Sequence, residues 1–534
     1  MLQARTIVDL LEVNRREYPD AVAFVDGTQA YTYERFGALC DRAVCWLQTQ
    51  GIGPGDRVAI WLVNRMEWLA LFFGLSALGA TLVTVNTRYR SHEVSYILEK
   101  SAARMLILEP TFRKIDFMSI LRDVDGQQLE RLESIVFVNH HEKVPDSQLG
   151  RPVSVLDLDG VACPEYFTVD RHDTPDALCI LFTTSGTTSN PKLVMHTQHT
   201  VATHSQRVAR AYRLEEDGVV LLAALPFCGV FGFNAVFGCF AAGKPVVLMD
   251  TFDGAEAAKL INEHAVTHLF GSDEMYTRIL EQSDSPVPFP SARIFGFAAF
   301  HAGYDSFGKT AWQRKVPMYG LYGSSEVQAL FSLQNPDLPL GERIMAGGTP
   351  ASSEARIRIR DPDTGHLLDA GQSGVIEICS DTNFVGYLDN QAATDQAVDS
   401  EGYFSTGDLG YLRDDGSFVY QTRQGDAIRL AGFLVDPTEI EDVLKAQPGV
   451  SDAQVVGVEQ DGQNRCVAFV IAQAGMATNE AALRTALATC MAPFKIPVRI
   501  WEIGKFPTTL SSNGVKIQRR KLREMAMEKL GIEA

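Results

Sequence analysis

Residues 182–192 read Phe182-Thr183-Thr184-Ser185-Gly186-Thr187-Thr188-Ser189-Asn190-Pro191-Lys192, a short segment crowded with hydroxyl side chains that ends in a lysine. The apolar run before it, residues 177–182, predicts a buried strand. The segment therefore begins where a strand stops, and it can offer backbone N–H groups and hydroxyls to an anion. It is not a Walker P-loop, because Gly186 has no second glycine directly before Lys192. Taken alone it fits an ordinary Ser/Thr/Gly loop, and the motifs downstream favour a phosphate-binding turn.

Four such motifs follow in order along the chain. They are Tyr322-Gly323-Ser324-Ser325-Glu326, Ser405-Thr406-Gly407-Asp408, Arg423 to Ile428 with Gly432, and Asn513-Gly514-Val515-Lys516-Ile517. Together with the turn they resemble the adenylate-forming superfamily, which contains acyl-CoA synthetases, nonribosomal adenylation domains and firefly-type luciferases. The resemblance extends from Thr32-Tyr33-Glu34 to Lys516, nearly the whole chain. It implies an AMP-forming acid:CoA ligase with ATP, Mg²⁺ and CoA as its cofactors and reactants.

Length and composition bound the class of protein. A chain of 534 residues with 46% hydrophobic and 21% charged residues fits a globular protein with a large core and more than one domain. The net charge of −18 argues against nucleic acid as a partner. Nine cysteines without CxxC spacing, and a start unlike a signal peptide, predict free, mostly buried thiols in a reduced cytoplasm. The apolar run from Trp68 to Val85 is interrupted by small residues and predicts buried core rather than a transmembrane segment.

The pattern of apolar runs predicts an α/β fold in two parts. Up to residue 424, helical patterns alternate with short apolar runs, which is typical of βαβ units on largely parallel sheets. The alternating strands at 355–359 and 375–378 add a small antiparallel sheet or barrel to this large, multi-subdomain N-terminal domain. Residues 425–534 predict a smaller, mobile α+β domain. Within it, Asp436, Pro437 and Glu439 supply the N-cap, the first helical residue and a capping glutamate of a helix.

The resemblance implies a role for each residue of the nucleotide motifs. The turn would cradle the β- and γ-phosphates, and Glu326 and Thr184 would be ligands of Mg²⁺. Because a buried carboxylate without a cation is costly, a ligand role for Glu326 is favoured over a solvated turn carboxylate. Ser325 stands near the α-phosphate, where the family usually has threonine. The turn residues assigned to phosphate are Thr184, Ser185, Gly186, Thr187, Thr188 and Lys192.

Three further residues are implied to hold the nucleoside. Tyr322, followed by Gly323, would stack on adenine, and Asp408 would accept hydrogen bonds from both ribose hydroxyls, a task that suits a carboxylate. Arg423 would reach the ribose or a phosphate from the domain junction. A simple Gly-Asp turn is the alternative for Asp408.

The implied catalytic residue of the small domain is Lys516. It would bridge the substrate carboxylate and the α-phosphate as charge develops in the transition state. The alternative is that it belongs to the basic face formed with the arginines and lysines after residue 518. Gly425 stands at the hinge position, and Ala431, Gly432 and Phe433 would line the channel for the pantetheine arm of CoA.

The chain departs from the family pattern at three further places in the phosphate turn and the C-terminal motif. Ser189 and Leu193 replace usual glycines, which should stiffen the phosphate turn and weaken ATP binding. Val515 is inserted between Gly514 and Lys516, so Lys521 and Lys505 remain weaker candidates for the catalytic lysine.

The acyl pocket is predicted to be apolar and lined by aromatic residues. Its usual aromatic-His pair is reduced here, since glycine stands at the histidine position. Residues 225–243 contain no aspartate to pair with a substrate ammonium, which favours an amine-free acid. Plain core is the alternative role for each phenylalanine. The pocket residues are Phe227, Cys228, Gly229, Phe231, Phe233, Phe297 and Ala298.

These observations predict a cytoplasmic ligase acting on an apolar carboxylic acid, either fatty or aryl and alicyclic, with CoA as acceptor. One alternative is an adenylating enzyme that loads a separate acyl carrier protein. Another is a non-catalytic nucleotide or acyl-AMP binding protein. A homodimer is left open by the sequence.

Overall fold

The computed structural model describes residues 4–113, 115–138, 144–163, 171–183, 191–298, 304–424, 427–430, 433–460, 463–489, 491, 493–511 and 514–532. The chain divides into two units, each with its own core. Unit 1 comprises residues 1–298, 311–356 and 378–404, and unit 2 comprises residues 299–310, 357–377 and 405–534. The predicted boundary between residues 424 and 425 stays a prediction.

The helices lie between segments of strand along most of the chain. They are α1 (Ile7–Glu17), α2 (Tyr33–Thr49), α3 (Met66–Ala77), α4 (Ser91–Ser101), α5 (Phe117–Arg122), α6 (Gln198–Ala211), α7 (Val230–Ala241), α8 (Gly254–Glu263), α9 (Asp273–Leu280), α10 (Tyr304–Gln313), α11 (Leu340–Arg343), α12 (Gln391–Ala397), α13 (Pro437–Lys445), α14 (Glu480–Ala488) and α15 (Arg519–Leu530).

The strands up to residue 272 are β1 (Val22–Asp26), β2 (Gln29–Thr32), β3 (Arg57–Trp61), β4 (Thr81–Thr84), β5 (Met105–Leu108), β6 (Thr111–Phe112), β7 (Ile115–Asp116), β8 (Ser134–Val138), β9 (Ser147–Gln148), β10 (Arg151–Leu156), β11 (Leu178–Thr183), β12 (Leu193–Thr197), β13 (Leu221–Ala223), β14 (Val246–Leu248) and β15 (His268–Ser272). The strands that follow are β16 (Ile294–Ala298), β17 (Met318–Ser324), β18 (Gln328–Leu333), β19 (Gly347–Pro350), β20 (Arg356–Arg360), β21 (Gly374–Cys379), β22 (Gly386–Tyr387), β23 (Phe404–Leu412), β24 (Phe418–Arg423), β25 (Ile428–Leu430), β26 (Phe433–Val435), β27 (Val450–Gln460), β28 (Gln463–Ala472), β29 (Ile500–Glu502), β30 (Thr508–Ser511) and β31 (Gly514–Ile517).

Unit 1 contains two sheets whose central strands are parallel. One runs β22-β12-β11-β4-β3-β5-β8-β10-β9, and the other includes the order β2-β1-β14-β13-β15-β16-β17-β18-β19. Strands β3, β4, β5 and β8 pair in parallel, and so do β13 to β17. Antiparallel strands are added at the ends, including β12 beside β11 and β18 beside β17. The predicted βαβ architecture is confirmed, as is the strand before the hydroxyl-rich turn.

The apolar run from Trp68 to Val85 forms buried core, as the sequence predicts. It folds into most of α3, a turn and β4, and Trp68, Phe72 and Leu75 have no exposed surface. Among the residues that the structure describes, no helix is both long enough and apolar enough to cross a membrane.

Unit 2 combines antiparallel strands with a three-stranded sheet covered by helices. Strands β23 and β24 are antiparallel and adjoin β21 and β20, and β27 pairs with β28 beside β29. The side chain of Asp436 accepts a hydrogen bond from the Thr438 backbone N–H at 2.9 Å and begins α13, as predicted. Glu439 was predicted to cap this helix, but its carboxylate pairs with Lys495.

One prediction about the cysteines is wrong. Cys45 on α2 and Cys163 form a disulfide, with their Cα atoms 6.0 Å apart, whereas the sequence predicts only free thiols. No local pattern indicates this bond, because the two residues are 118 positions apart and meet only where the chain after β10 returns to α2. The other described cysteines are free, and all but Cys379 are buried. The cytoplasmic location stays a prediction.

Candidate active site

The hydroxyl-rich segment connects β11 and β12, which pair with each other as antiparallel strands. Thr183 ends β11 and is paired with Leu193, the first residue of β12. The Thr183 hydroxyl lies 2.9 Å from the hydroxyl of Tyr89. Leu193, at a position where the family usually has glycine, is 2% exposed and packs in a core cluster with Leu181 and Leu388. The predicted phosphate contacts at the tip lie outside the described residues: Thr184, Ser185, Gly186, Thr187, Thr188 and the departure at Ser189.

Lys192, Tyr387 and Glu326 meet beside this hairpin. The Lys192 Nζ lies 4.6 Å from the centre of the Tyr387 ring, and the Tyr387 hydroxyl donates a hydrogen bond of 3.0 Å to Glu326 Oε1. The structure therefore brings together a lysine and a carboxylate that the sequence assigned separately to phosphate and to Mg²⁺. Tyr387 was not predicted as a site residue.

Glu326 and Ser325 lie in the tight connection between β17 and β18. Tyr322, predicted to stack on adenine, is on β17 and is paired with Ser332, with its side chain 6% exposed. Gly323 follows it, and a Cβ atom there would lie 2.5 Å from Ala329 Cα and 2.7 Å from Gln328 O. Only glycine allows this approach of the two strands, so Gly323 fixes the position of the residues after it.

Replacing Gly323 with alanine is expected to lower the free energy of unfolding by about 1–3 kcal/mol, because the contacted atoms are backbone atoms that cannot move alone. It should also weaken ATP binding by displacing Glu326. Urea unfolding and calorimetric ATP titration would measure both. Gly341→Ala is the control, since a Cβ at Gly341 has no atom within 4 Å. Equal behaviour of the two variants would contradict the argument.

Two buried histidines contact the backbone of the β17–β18 connection and of β18. His196 Nε2 is 2.8 Å from Ser325 O, and its Nδ1 is 3.2 Å from the Thr200 hydroxyl. His204 Nε2 is 2.7 Å from Ala329 O. Burial lowers the pKa of each imidazole to about 4, so both are neutral at pH 7. A neutral ring that donates to the Ser325 carbonyl holds this backbone without adding charge beneath Glu326.

The predicted acyl-pocket residues at 227–233 lie where α7 begins. Phe227 packs against Trp68 at 5.6 Å between ring centres, and Phe233 packs against Phe72 at 5.2 Å and Phe182 at 5.3 Å. These contacts place both rings in the aromatic core of unit 1. Their contact with a substrate stays a prediction.

Cys228, Gly229 and Phe231 surround the first turn of the same helix. Cys228 and Phe231 are 5% and 4% exposed, and Gly229 is the partly exposed N-cap residue of α7. Burial raises the pKa of the Cys228 thiol to about 11, so it is uncharged. Phe297 is buried and Ala298 partly exposed at the end of β16.

Asn64 holds the loop before α7, although the sequence analysis did not select it. Its Nδ2 donates to Leu225 O at 2.8 Å and to Met249 O at 3.0 Å, and its Oδ1 accepts from the Phe227 N–H at 2.8 Å. One buried side-chain amide therefore forms hydrogen bonds with three backbone groups, which follow β13 and β14.

Asp408 and Arg423 are neighbours within unit 2. They face each other across β23 and β24, and Arg423 Nε lies 2.9 Å from Asp408 Oδ1. Arg423 also donates to Thr406 O at 3.1 Å. Gly407, between Thr406 and Asp408, has a φ of +69°, which favours glycine at this position. Asp408 is buried while the Arg423 side chain is 57% exposed, so the pair has one open side.

The remaining predicted residues of unit 2 are described in part. Gly425, Ala431 and Gly432 lie outside the described residues, and the backbone of Phe433 begins β26 opposite Leu430. Lys516 is on β31, with its backbone paired to Thr509 of β30. The Val515 insertion is accommodated in this hairpin.

Arg519, at the start of α15, is anchored three residues after Lys516. Its guanidinium lies 2.7 Å from Glu441 Oε1 on α13 and donates to Glu441 Oε2 at 3.0 Å and to Val455 O at 2.9 Å. The Glu441 side chain has no exposed surface. Burial raises the pKa of this carboxyl, and Arg519 opposes that effect. The sequence reasoning treated Arg519 only as part of a basic helix face.

Comparison with known proteins identifies the family. The model of the AMP-binding enzyme family matches residues 11–388, and that of the AMP-binding enzyme C-terminal domain matches residues 439–513. The chain belongs to the AMP-binding enzyme family. The expected adenylate-forming ligase, its α/β fold and its use of ATP and CoA are therefore confirmed.

Individual relatives of this AMP-binding enzyme cover almost its full length. It is 28% identical to 4-coumarate-CoA ligase 1 of Narcissus pseudonarcissus, over 96% of this chain and 92% of the relative. It is 26% identical to 2-succinylbenzoate–CoA ligase of Bacillus licheniformis, over 94% and 97% of the two chains. The solved O-succinylbenzoate coenzyme A synthetase of Bacillus subtilis in complex with AMP shares the fold, with a TM-score of 0.78, 24% identity and coverage of 96% and 98%.

Proposed function

We propose that this AMP-binding enzyme activates an apolar, amine-free carboxylic acid that carries an aromatic or alicyclic ring. ATP would supply the adenylate and CoA would accept the acyl group. The observation that carries the proposal is the composition of α7. Its residues are apolar or glycine except Asn234, whose side-chain amide donates to Gln328 Oε1 at 2.9 Å. A substrate ammonium would find no carboxylate on this helix.

The preference for a ring rests on the relatives. The two ligases compared above act, by their names, on 4-coumarate and 2-succinylbenzoate, both of which contain a benzene ring. A fatty acid, which the sequence analysis allows equally, is the competing substrate.

The proposed nucleotide contacts are those of unit 1 and unit 2 taken separately. In unit 1, Lys192 would meet the β- and γ-phosphates, and Glu326 would hold Mg²⁺. The residues fit a hard cation, because Glu326 supplies carboxylate oxygens, one of which, Oε1, accepts the Tyr387 hydrogen bond. The cation would neutralise phosphate charge when bound. In unit 2, Asp408 and Arg423 would bind the ribose, and Lys516 would stabilise the charge that develops between carboxylate and α-phosphate.

The test incubates the protein with ATP, Mg²⁺, CoA and a panel of aryl, alicyclic and fatty acids, and reads acyl-CoA and AMP by mass spectrometry. We expect thioester from a ring-bearing acid. Lys516→Ala should lower adenylation by roughly 10²- to 10³-fold, whereas Lys521→Ala on the exposed face of α15 should leave it within about twofold. The reverse ranking would move the catalytic role to Lys521.

Each other result of the panel has a definite meaning. Thioester from fatty acids alone would overturn the ring preference. Acid-dependent pyrophosphate release without thioester, restored by a holo-carrier protein, would replace CoA with a carrier as the acceptor. ATP binding without turnover on any acid would support the non-catalytic alternative.

A further inference from the structure

We propose that Tyr387 is a positioning residue that couples the phosphate lysine to the metal carboxylate. This inference rests on the proposed roles of Lys192 and Glu326. A single side chain touches both: its ring faces Lys192 Nζ at 4.6 Å, and its hydroxyl donates to Glu326 Oε1 at 3.0 Å. The cation and the anion are thus placed relative to each other by one rigid group.

The position of Tyr387 is fixed by the backbone on both sides of it. Tyr387 is paired with Val194 of β12, the strand that begins directly after Lys192. Its N–H donates to the Thr394 hydroxyl at 3.0 Å. With 5% of its surface exposed, the side chain has no room to change rotamer without disturbing these neighbours.

The same segment is hydrogen-bonded to Glu326 and to Leu193, the residue after Lys192. Leu388 N–H donates to Leu193 O at 2.9 Å, and Phe384 N–H donates to Glu326 O at 2.7 Å. Residues 384–388 are therefore hydrogen-bonded both to the start of β12 and to the β17–β18 connection. A shift of either element would be transmitted to the other through the tyrosine.

The two halves of the side chain perform different work. The ring attracts the Lys192 ammonium through its quadrupole, and the ring itself carries no negative charge. The hydroxyl donates to one carboxylate oxygen, which fixes the rotation of the carboxylate and directs the other oxygen to a cation. Removing the hydroxyl should therefore affect the metal requirement, and removing the ring should additionally affect the phosphates.

The experiment measures ATP binding by calorimetry at a series of Mg²⁺ concentrations, with no acid present. Tyr387→Phe should raise the Mg²⁺ concentration for half-maximal ATP binding by roughly 3- to 10-fold, the effect of losing a hydrogen bond to a charged group. At saturating Mg²⁺ its affinity for ATP should be close to that of the wild type. At saturating Mg²⁺, the Kd of Tyr387→Leu for ATP should be about threefold higher than that of Tyr387→Phe, because the ring is also lost.

Tyr276→Phe is the matched control. It removes another buried hydroxyl of unit 1, bonded to Leu269 O at 2.7 Å and Gly296 O at 3.0 Å, and it should lower stability without changing the Mg²⁺ requirement. If Tyr387→Leu does not fold, the comparison of the two phenylalanine variants decides alone. An unchanged Mg²⁺ requirement in Tyr387→Phe, or an equal change in Tyr276→Phe, would overturn the proposal. Because no acid is present, these results are independent of whether the ligase reaction itself is found.

Discussion

Replacing Arg519 with alanine is expected to lower the free energy of unfolding of unit 2 by about 3–5 kcal/mol. The change would leave the fully buried Glu441 without the guanidinium that now contacts both of its carboxylate oxygens. Unfolding in urea, followed by far-UV circular dichroism, would measure the loss. Adenylation should fall with it, because Arg519 fixes the chain immediately after the hairpin of Lys516.

A double-mutant cycle provides the control for this prediction. Glu441→Gln with Arg519→Met removes both charges, and it should be less destabilising than Arg519→Ala alone, since no ion is left buried. Arg520→Ala is a second control, because Arg520 forms only an exposed pair with Glu524 on α15. A cost below about 1 kcal/mol for Arg519→Ala would show that the pair contributes no more than a surface salt bridge.

Acidification is expected to destabilise unit 1 steeply between about pH 6.5 and pH 4. Burial lowers the pKa of His196, His204 and His268 to about 4, below the ordinary histidine value of 6.5. In this interval the unfolded chain binds more protons than the folded one, so stability rises with pH. Each histidine contributes up to about 1.4 kcal/mol per pH unit, and the three together up to about 4 kcal/mol per pH unit. Above pH 6.5 this contribution is constant.

The measurement is urea unfolding across this pH range, monitored by tryptophan fluorescence. His196→Gln and His204→Gln should each make the pH dependence less steep, even if the substitution itself costs stability at pH 7. His92→Gln is the control, since it removes an exposed imidazole at the start of α4 in place of a buried one. A wild-type slope equal to that of a variant lacking one of the buried histidines would contradict the prediction. Burial also raises the pKa of Asp26 in unit 1, which acts in the opposite sense, as do the raised pKa values of Asp436, to about 6, and of Glu441 in unit 2.

Local patterns in the sequence were sufficient for the secondary structure around the motifs. The apolar run before Thr183 is β11, the capping signal at Asp436 starts α13, and the small residues within 68–85 mark the turn between α3 and β4. In each case the information lies within a few residues. The family resemblance then supplied the order of the motifs and the chemistry.

Contacts between distant segments could not be read in this way. Tyr387 follows Lys192 by 195 positions in the sequence and contacts it only because β22 pairs with β12. The Cys45–Cys163 bond and the support of Ser325 by His196 likewise depend on which strands and helices become neighbours. Glycine-tyrosine at 386–387 is an ordinary strand pattern, and only its neighbours give it a role.

The roles of the aromatic residues near α7 could be predicted only in part. Composition correctly indicated an apolar environment, but it could not separate a ring that lines a pocket from one that fills the core. Phe227 and Phe233 contact Trp68 and Phe72, which lie on α3. These contacts with α3 could not be predicted from composition.

The pairing of Thr183 with Leu193 has a consequence for how this chain can diverge. Both ends of the hydroxyl-rich segment are held in register within a buried sheet, so changes at its tip need not propagate into the framework. The residues of such a segment can be replaced, and the segment can be lengthened or exchanged for that of a relative, while β11 and β12 keep their pairing. Variation between β11 and β12 can thus accumulate independently of variation in α7.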